Sequence, residues 1–135
     1  MSTGFIYDPI FLEHDTGVGH PECAGRLSYS IEYLNKQNWF SSLQHFPVKK
    51  ADRSTIQLVH DEHYISRAEQ ACLTGQSFLD SMDVAICKKS YEIALSATGA
   101  LLHLADHIVS NNINNGFAMV RPPGHHAEAT QALGF

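Results

Sequence analysis

His125 and His126 are adjacent imidazoles in the run RPPGHHAE (residues 121–128), which follows directly on the apolar stretch FAMV (117–120). Two prolines stiffen this loop and Gly124 lets its backbone bend, so the rings are held in a fixed place. In such a setting one imidazole takes a proton from water while the other, protonated, stabilises or protonates a leaving group. The position of the loop supports that chemistry, because ligands of open α/β sheets collect at the carboxyl ends of strands. Without these neighbours, an adjacent His pair reads as a surface feature of a turn. The chain holds nine His against nine Lys and Arg together, so metal and acid–base chemistry are worth testing along its whole length.

Other groups are weaker. Asp61-Glu62-His63 has the Asp-x-His spacing of metal ligands, but it falls between helical segments rather than after an apolar strand. His103 and His107 lie one helical turn apart in HLADH. The glutamate of a zinc-binding H-E-x-x-H helix is missing there, and both read as part of a solvated face, as do His60 and His63. No G-x-S-x-G, P-loop or dinucleotide fingerprint occurs. Cys23, Cys72 and Cys87 lack a matching His loop, which leaves a thiol nucleophile unsupported.

The elements that must position the His pair follow from composition and pattern. A quarter of the 135 residues are Leu, Ile, Val or Phe, and 17% are charged, which describes one core-rich globular domain. The formal charge of −5, with no basic cluster, removes the electrostatic footprint of a nucleic-acid binder. No apolar stretch approaches the roughly 18 residues of a membrane span, and the N-terminus has no basic region of a signal peptide. Three dispersed cysteines suit a reduced cytoplasm.

GFIY (4–7), ended by Asp8-Pro9, predicts a strand. The Gly-rich stretch 14–19 predicts a loop, and a helix is expected over 21–36 with Pro21 as its first residue. Residues 45–49 predict a short strand that Pro47 confines to an edge. Ser54 to Gln57 reads as a capping box opening a helix to about Thr74, with Gly75 as its left-handed cap. The strongest helix is Ser90–Val109, with Ala94, Ala97, Leu101, Ala105 and Ile108 as its apolar arc and Glu92, Ser96, His103 and Asp106 opposite. After a turn over 111–115, residues 117–120 form a fully apolar strand. Strands separated by helices argue for a parallel sheet.

RPPGHHAE followed by Gly134-Phe135 resembles the histone deacetylase superfamily, which includes acetylpolyamine amidohydrolases. HDTG (14–17) with His20-Pro21-Glu22 and Arg26 looks like the family's loop before its first helix, and Asp83 with Ser90-Tyr-Glu92 and the small-residue helix through Gly99 is similar to the segment before its His–His strand. The resemblance implies a three-layer α/β/α fold with a mainly parallel, arginase-like sheet. It implies an enzyme that hydrolyses acetylated lysine or acetylated polyamines with zinc. His126 matches the general base and His125 its electrostatic or acid partner. Gly134 and Phe135 match the lining of the acyl-lysine channel, and Asp83 a rim carboxylate that holds the substrate backbone. Arg26 matches the arginine beneath the site, near which His20 also falls. Read by itself, Arg26 is a helix-surface residue paired with Glu22, and Asp83 a solvated loop residue.

The family's Asp, His and Asp zinc ligands and its carbonyl-polarising tyrosine match positions beyond Phe135. The expectation is therefore that residues 1–135 are the N-terminal part of a single deacetylase-like domain, with Met1 the true start, no metal ligands of its own and no activity in isolation. The partner expected is an acetylated protein or a small acetylated amine, without nucleic acid or membrane. The alternative is a non-catalytic piece or interaction module, and the downstream reading frame discriminates the two.

Overall fold

A computed structural model describes residues 2–134. Its centre is a parallel three-stranded sheet built from β1 (Thr3–Ile6), β2 (Gln44–Phe46) and β5 (Asn115–Ala118) in the order β2-β1-β5. Phe5 stands opposite His45 and Phe117, and Ile6 opposite Phe46 and Ala118. The helices are α1 (Gly25–Asn35), α2 (Arg53–Ile56), α3 (Glu62–Leu73) and α4 (Ser90–Val109), and β3 (Phe78–Leu79) and β4 (Ser81–Ala85) form a separate antiparallel hairpin. Helix α4 covers one face of the sheet and α1 faces the other, giving the three-layer α/β/α arrangement expected. The core joins both sides through Phe5, Ile6, Phe11, Leu27, Ile93 and Leu104.

Close approach of α4 to the sheet depends on small residues. A Cβ on Gly116 would lie 2.5 Å from side-chain carbons of Leu104, so glycine in β5 lets that leucine seat on the strand. Strand β2 is at the sheet edge, ending just before Pro47 as its missing N–H requires. Gly75 adopts φ +74° and closes α3, its N–H donating to the Cys72 carbonyl.

Four expectations need correction. Helix α1 begins at Gly25 rather than Pro21, because Thr16 and His20 hold the Glu22 backbone in a loop. The stretch 54–74 is two helices: Asp52 precedes α2, Ser54 lies inside it, and no capping box forms. The break falls where the Asp61 backbone N–H donates to the Ala129 carbonyl and the His60 ring Nδ1–H to the Glu128 carbonyl, and Asp61 then caps α3. The buried side of α4 runs through Ile93, Ala97, Ala100 and Leu104 and includes Ser96, while Leu101 and Ala105 are exposed. Finally, β5 starts two residues earlier than FAMV, because pairing with β1 begins at Thr3 opposite Asn115. Among the described residues, no helix is long and apolar enough to cross a membrane.

Candidate functional site

Arg121, the first residue of the RPPGHH loop, turns inward from the end of β5 and is 1% exposed. Met119 donates its N–H to the Ile6 carbonyl and so prolongs the β1–β5 pairing up to the turn. The guanidinium donates from Nε to Glu22 Oε1 (2.6 Å), from Nη2 to Glu22 Oε2 (2.7 Å) and from Nη1 to the Phe11 carbonyl (3.0 Å). Glu22 is equally buried, and the bidentate fork is the geometry in which a desolvated Arg–carboxylate pair is best compensated. Burial pushes the Glu22 carboxyl upward, but the hydrogen bonds and charge of Arg121 more than reverse this and hold it below the ordinary range. One buried pair thus ties the base of the His loop to the loop before α1, across 99 residues of sequence.

His14 completes the buried network. Its Nδ1 is 2.8 Å from Ser90 Oγ at the start of α4, and its Nε2 is 3.7 Å from Glu22 Oε2. The Cys87 N–H donates to the same Ser90 oxygen. Burial, reinforced by the Arg121 charge, lowers the His14 pKa from 6.5 to about 4, so the ring is neutral at pH 7. Nδ1 is thus tied to Ser90 and Nε2 faces the Glu22 carboxylate.

His125 and His126 lie beyond this anchored base, both exposed, with ring centroids 4.2 Å apart. The segment after them folds back over the molecule. Arg67 in α3 grips Asp80 through two nitrogens and also donates to the Thr130 carbonyl, while Asp80 Oδ2 accepts from the Ala132 N–H (2.7 Å). Ala132 is buried against Ala71 and Leu79. This docking brings Gly134, at φ +71°, against His126: a Cβ there would lie 2.7 Å from His126 Cδ2.

The structure thus brings His125, His126 and Gly134 together. Phe135 lies outside the described residues. Asp83 is exposed on β4, in the hairpin whose Asp80 holds Ala132, and among the described residues it makes no hydrogen bond to either histidine. Arg26 is 58% exposed and donates to Glu22 Oε1 at 3.3 Å, which is the pairing its i, i+4 spacing implies. It also lines a groove of about 900 Å³ between α1 and the β5 side of the sheet. His20 is half-buried, and its Nδ1 accepts from the Glu22 N–H. Glu22, His14 and Ser90 were not predicted as site residues. The signal available was chemical: an arginine between an apolar strand and two prolines needs a buried carboxylate, and HPE supplies one.

Among the described residues, no three His, Cys, Asp or Glu side chains gather as metal ligands. The Asp61 carboxylate accepts from the His63 N–H and caps α3.

The family model described as histone deacetylase domain matches residues 20–135. Human histone deacetylase 9 is 32% identical over 161 residues, covering 99% of this chain and 16% of that protein. Polyamine deacetylase HDAC10 of Danio rerio is 33% identical over 121 residues, covering 84% of this chain and 18% of that protein. The solved HDA15 HD domain superposes with a TM-score of 0.90 at 29% identity, over 99% of this chain and 39% of that one. The chain therefore spans less than a fifth of the length of these two curated relatives.

Proposed function

The chain belongs to the histone deacetylase family, and from that premise we propose that residues 1–135 carry the proton-handling part of a single deacetylase domain that hydrolyses the amide of an acetylated amine. The observation that supports this most is the His125–His126 pair on a loop whose base is fixed by the buried Arg121–Glu22 fork. The substrate is an acetyl-lysine protein or a small acetylated polyamine, the classes the resemblance implies, and one curated relative is named a histone deacetylase and another a polyamine deacetylase.

Zinc belongs to this reading as the metal of the deacetylase domain as a whole, where it would polarise the carbonyl and acidify the attacking water. Among the described residues no ligand set for it gathers. His126 takes the proton of the water whose oxygen bonds to the amide carbon. His125 stabilises the developing charge and supplies the proton with which the amine leaves as the C–N bond breaks. Gly134 lines the channel for the acyl chain and leaves room beside the His126 ring, and the resemblance gives Phe135, outside the described residues, the same role. Asp83 holds the substrate backbone at the rim, and Arg26 and His20 support the floor near Glu22. We assign the protein to the cytoplasm.

The test uses the full-length protein encoded by the gene. His126→Ala is expected to lower kcat on an acetyl-lysine peptide or an acetylpolyamine by roughly 10²–10⁴-fold, the worth of a positioned general base, with KM changed far less. Normal turnover by that variant would remove His126 from the mechanism. A reading frame without a downstream Asp-x-His and later Asp would favour a non-catalytic chain.

A further inference from the structure

The second half of α4 carries an arrangement that the deacetylase reading does not use. His103 and His107 are both half-buried rather than solvated, one turn apart, with the Phe46 ring of β2 against them at centroid distances of 5.9 and 4.3 Å. Their Nε2 atoms are 3.2 Å apart. His103 Nδ1 is 3.1 Å from the Pro47 carbonyl oxygen, and His107 Nδ1 is 3.3 Å from the Asn112 side-chain amide.

Proton bookkeeping fixes the tautomers. A carbonyl oxygen only accepts, so His103 donates from Nδ1 and its Nε2 carries a lone pair. That lone pair points at His107 Nε2. In the metal-free chain His107 donates its Nε2 proton across the gap, and its Nδ1 accepts from Asn112. The two Nε2 atoms are thus held facing one another by groups on the far side of each ring, and a tilt of the rings by a few tens of degrees turns both lone pairs toward one metal position.

The spacing matches a chelate. With metal–nitrogen bonds of about 2.0–2.1 Å, two imidazoles at a tetrahedral angle stand about 3.3–3.4 Å apart, and at a right angle about 2.9 Å. The observed 3.2 Å lies between these. His103 also has the outer partner that ligating histidines use, a backbone carbonyl that accepts from its Nδ1–H, and Asn112 can supply one to His107 once its amide turns its oxygen inward. On binding, the His107 proton moves from Nε2 to Nδ1 and is accepted by Asn112 Oδ1 after the amide turns over. Both rings stay neutral, and no proton leaves the pair.

We propose that His103 and His107 form an exchangeable two-imidazole site for a divalent transition-metal ion, separate from the RPPGHH loop. Two protein nitrogens leave the remaining positions to water or an external ligand, so the site is open and releases its ion to a chelator. Imidazole donors select copper, nickel and zinc over magnesium and calcium, with copper bound most tightly. Both ligands lie on α4, so the ion ties two successive turns of that helix in the folded chain, and its binding raises the melting temperature.

The experiment titrates the 135-residue chain separately with CuCl₂, NiCl₂ and ZnCl₂ by calorimetry. It compares wild type with His103→Gln, His107→Gln and the double variant His125→Gln/His126→Gln. The expected result is one copper equivalent whose affinity falls by at least about tenfold in either α4 variant and stays within twofold in the loop variant. The magnitude follows from the roughly 10–100-fold cost of losing even an outer partner of a ligating histidine. An unchanged first equivalent in both α4 variants would overturn the proposal. Should those variants fail to fold, the wild-type chain decides it by proton NMR with substoichiometric copper. Broadening that starts at His103, His107 and Phe46 supports the site, and broadening that starts at His125 and His126 overturns it.

Discussion

His14 is the side chain through which the buried network responds to pH. Its folded pKa of about 4 lies below the ordinary 6.5, so between these values the unfolded chain binds the extra proton. Stability from this group is therefore complete above pH 6.5 and declines as pH falls toward 4, by a total of roughly 3 kcal/mol. Glu22 acts in the same direction at lower pH, since its carboxyl is held below the ordinary value in the folded state. The melting temperature should thus fall between pH 7 and 4.5, and His14→Gln should flatten that slope. A wild-type melt that is constant over this range would show that His14 titrates while still packed on Ser90. RPPGHH stands out in the sequence as a candidate because its own residue types and spacing suggest the chemistry. The Glu22 and His14 partners do not, because their meeting with Arg121 spans 99 and 107 positions and is created only by folding.

At the scale of elements, local signals were read correctly where a single strong preference decides them. The edge position of β2, Gly75 at a helix cap and the bounds of α4 are of that kind, although β2 covers Gln44–Phe46 and stops before Pro47 instead of running over 45–49. Signals failed where a distant segment competes. The Ser54 capping box gives way because Arg53 bonds Glu62, Ser66 and Glu69 in α3 and Gln57 bonds Glu62. The buried face of α4 is rotated from the expected arc because the chain after β2 packs against Gly99, where a Cβ would lie 1.9 Å from the Lys49 carbonyl oxygen and 2.5 Å from Ala51 N. Ala51 N–H also donates to the Leu95 carbonyl at that place. Gly99→Ala tests this contact. Helix propensity alone would make the change stabilising by about 1 kcal/mol, whereas displaced backbone costs about 1–3 kcal/mol and more when it cannot relax. The net expectation is destabilisation, read as a lower urea midpoint with unchanged slope. An Ala variant as stable as wild type would mean that residues 49–51 move aside freely.

For the whole molecule, the two sides of the sheet differ in what covers them. The α4 side is closed by Ile93, Ala97, Ala100 and Leu104. The α1 side leaves the groove of about 900 Å³, whose walls include Tyr29, Tyr33, Trp39, Leu43 and Phe117. Phe117, 60% exposed, sits on β5, which pairs with β1 on one side only and is an edge of the sheet. An edge with free backbone groups beside apolar side chains is a template for another chain, and apolar burial contributes about 25 cal/mol per Å² removed from water. Against this stands the net charge of −5, whose repulsion between copies is screened within about 10 Å at 0.1 M salt. Hydrophobic association therefore wins as salt and concentration rise. The purified 135-residue chain should self-associate, with a sedimentation coefficient that increases with protein concentration and with added salt, and it should bind a dye specific for exposed apolar surface. Phe117→Lys, which places a charge on the edge strand, should reduce both signals without a large loss of stability, because that side chain is mostly in water already. A concentration-independent monomer at high salt with no dye binding would show that the α1 side is closed in solution by a rearrangement of its aromatic walls.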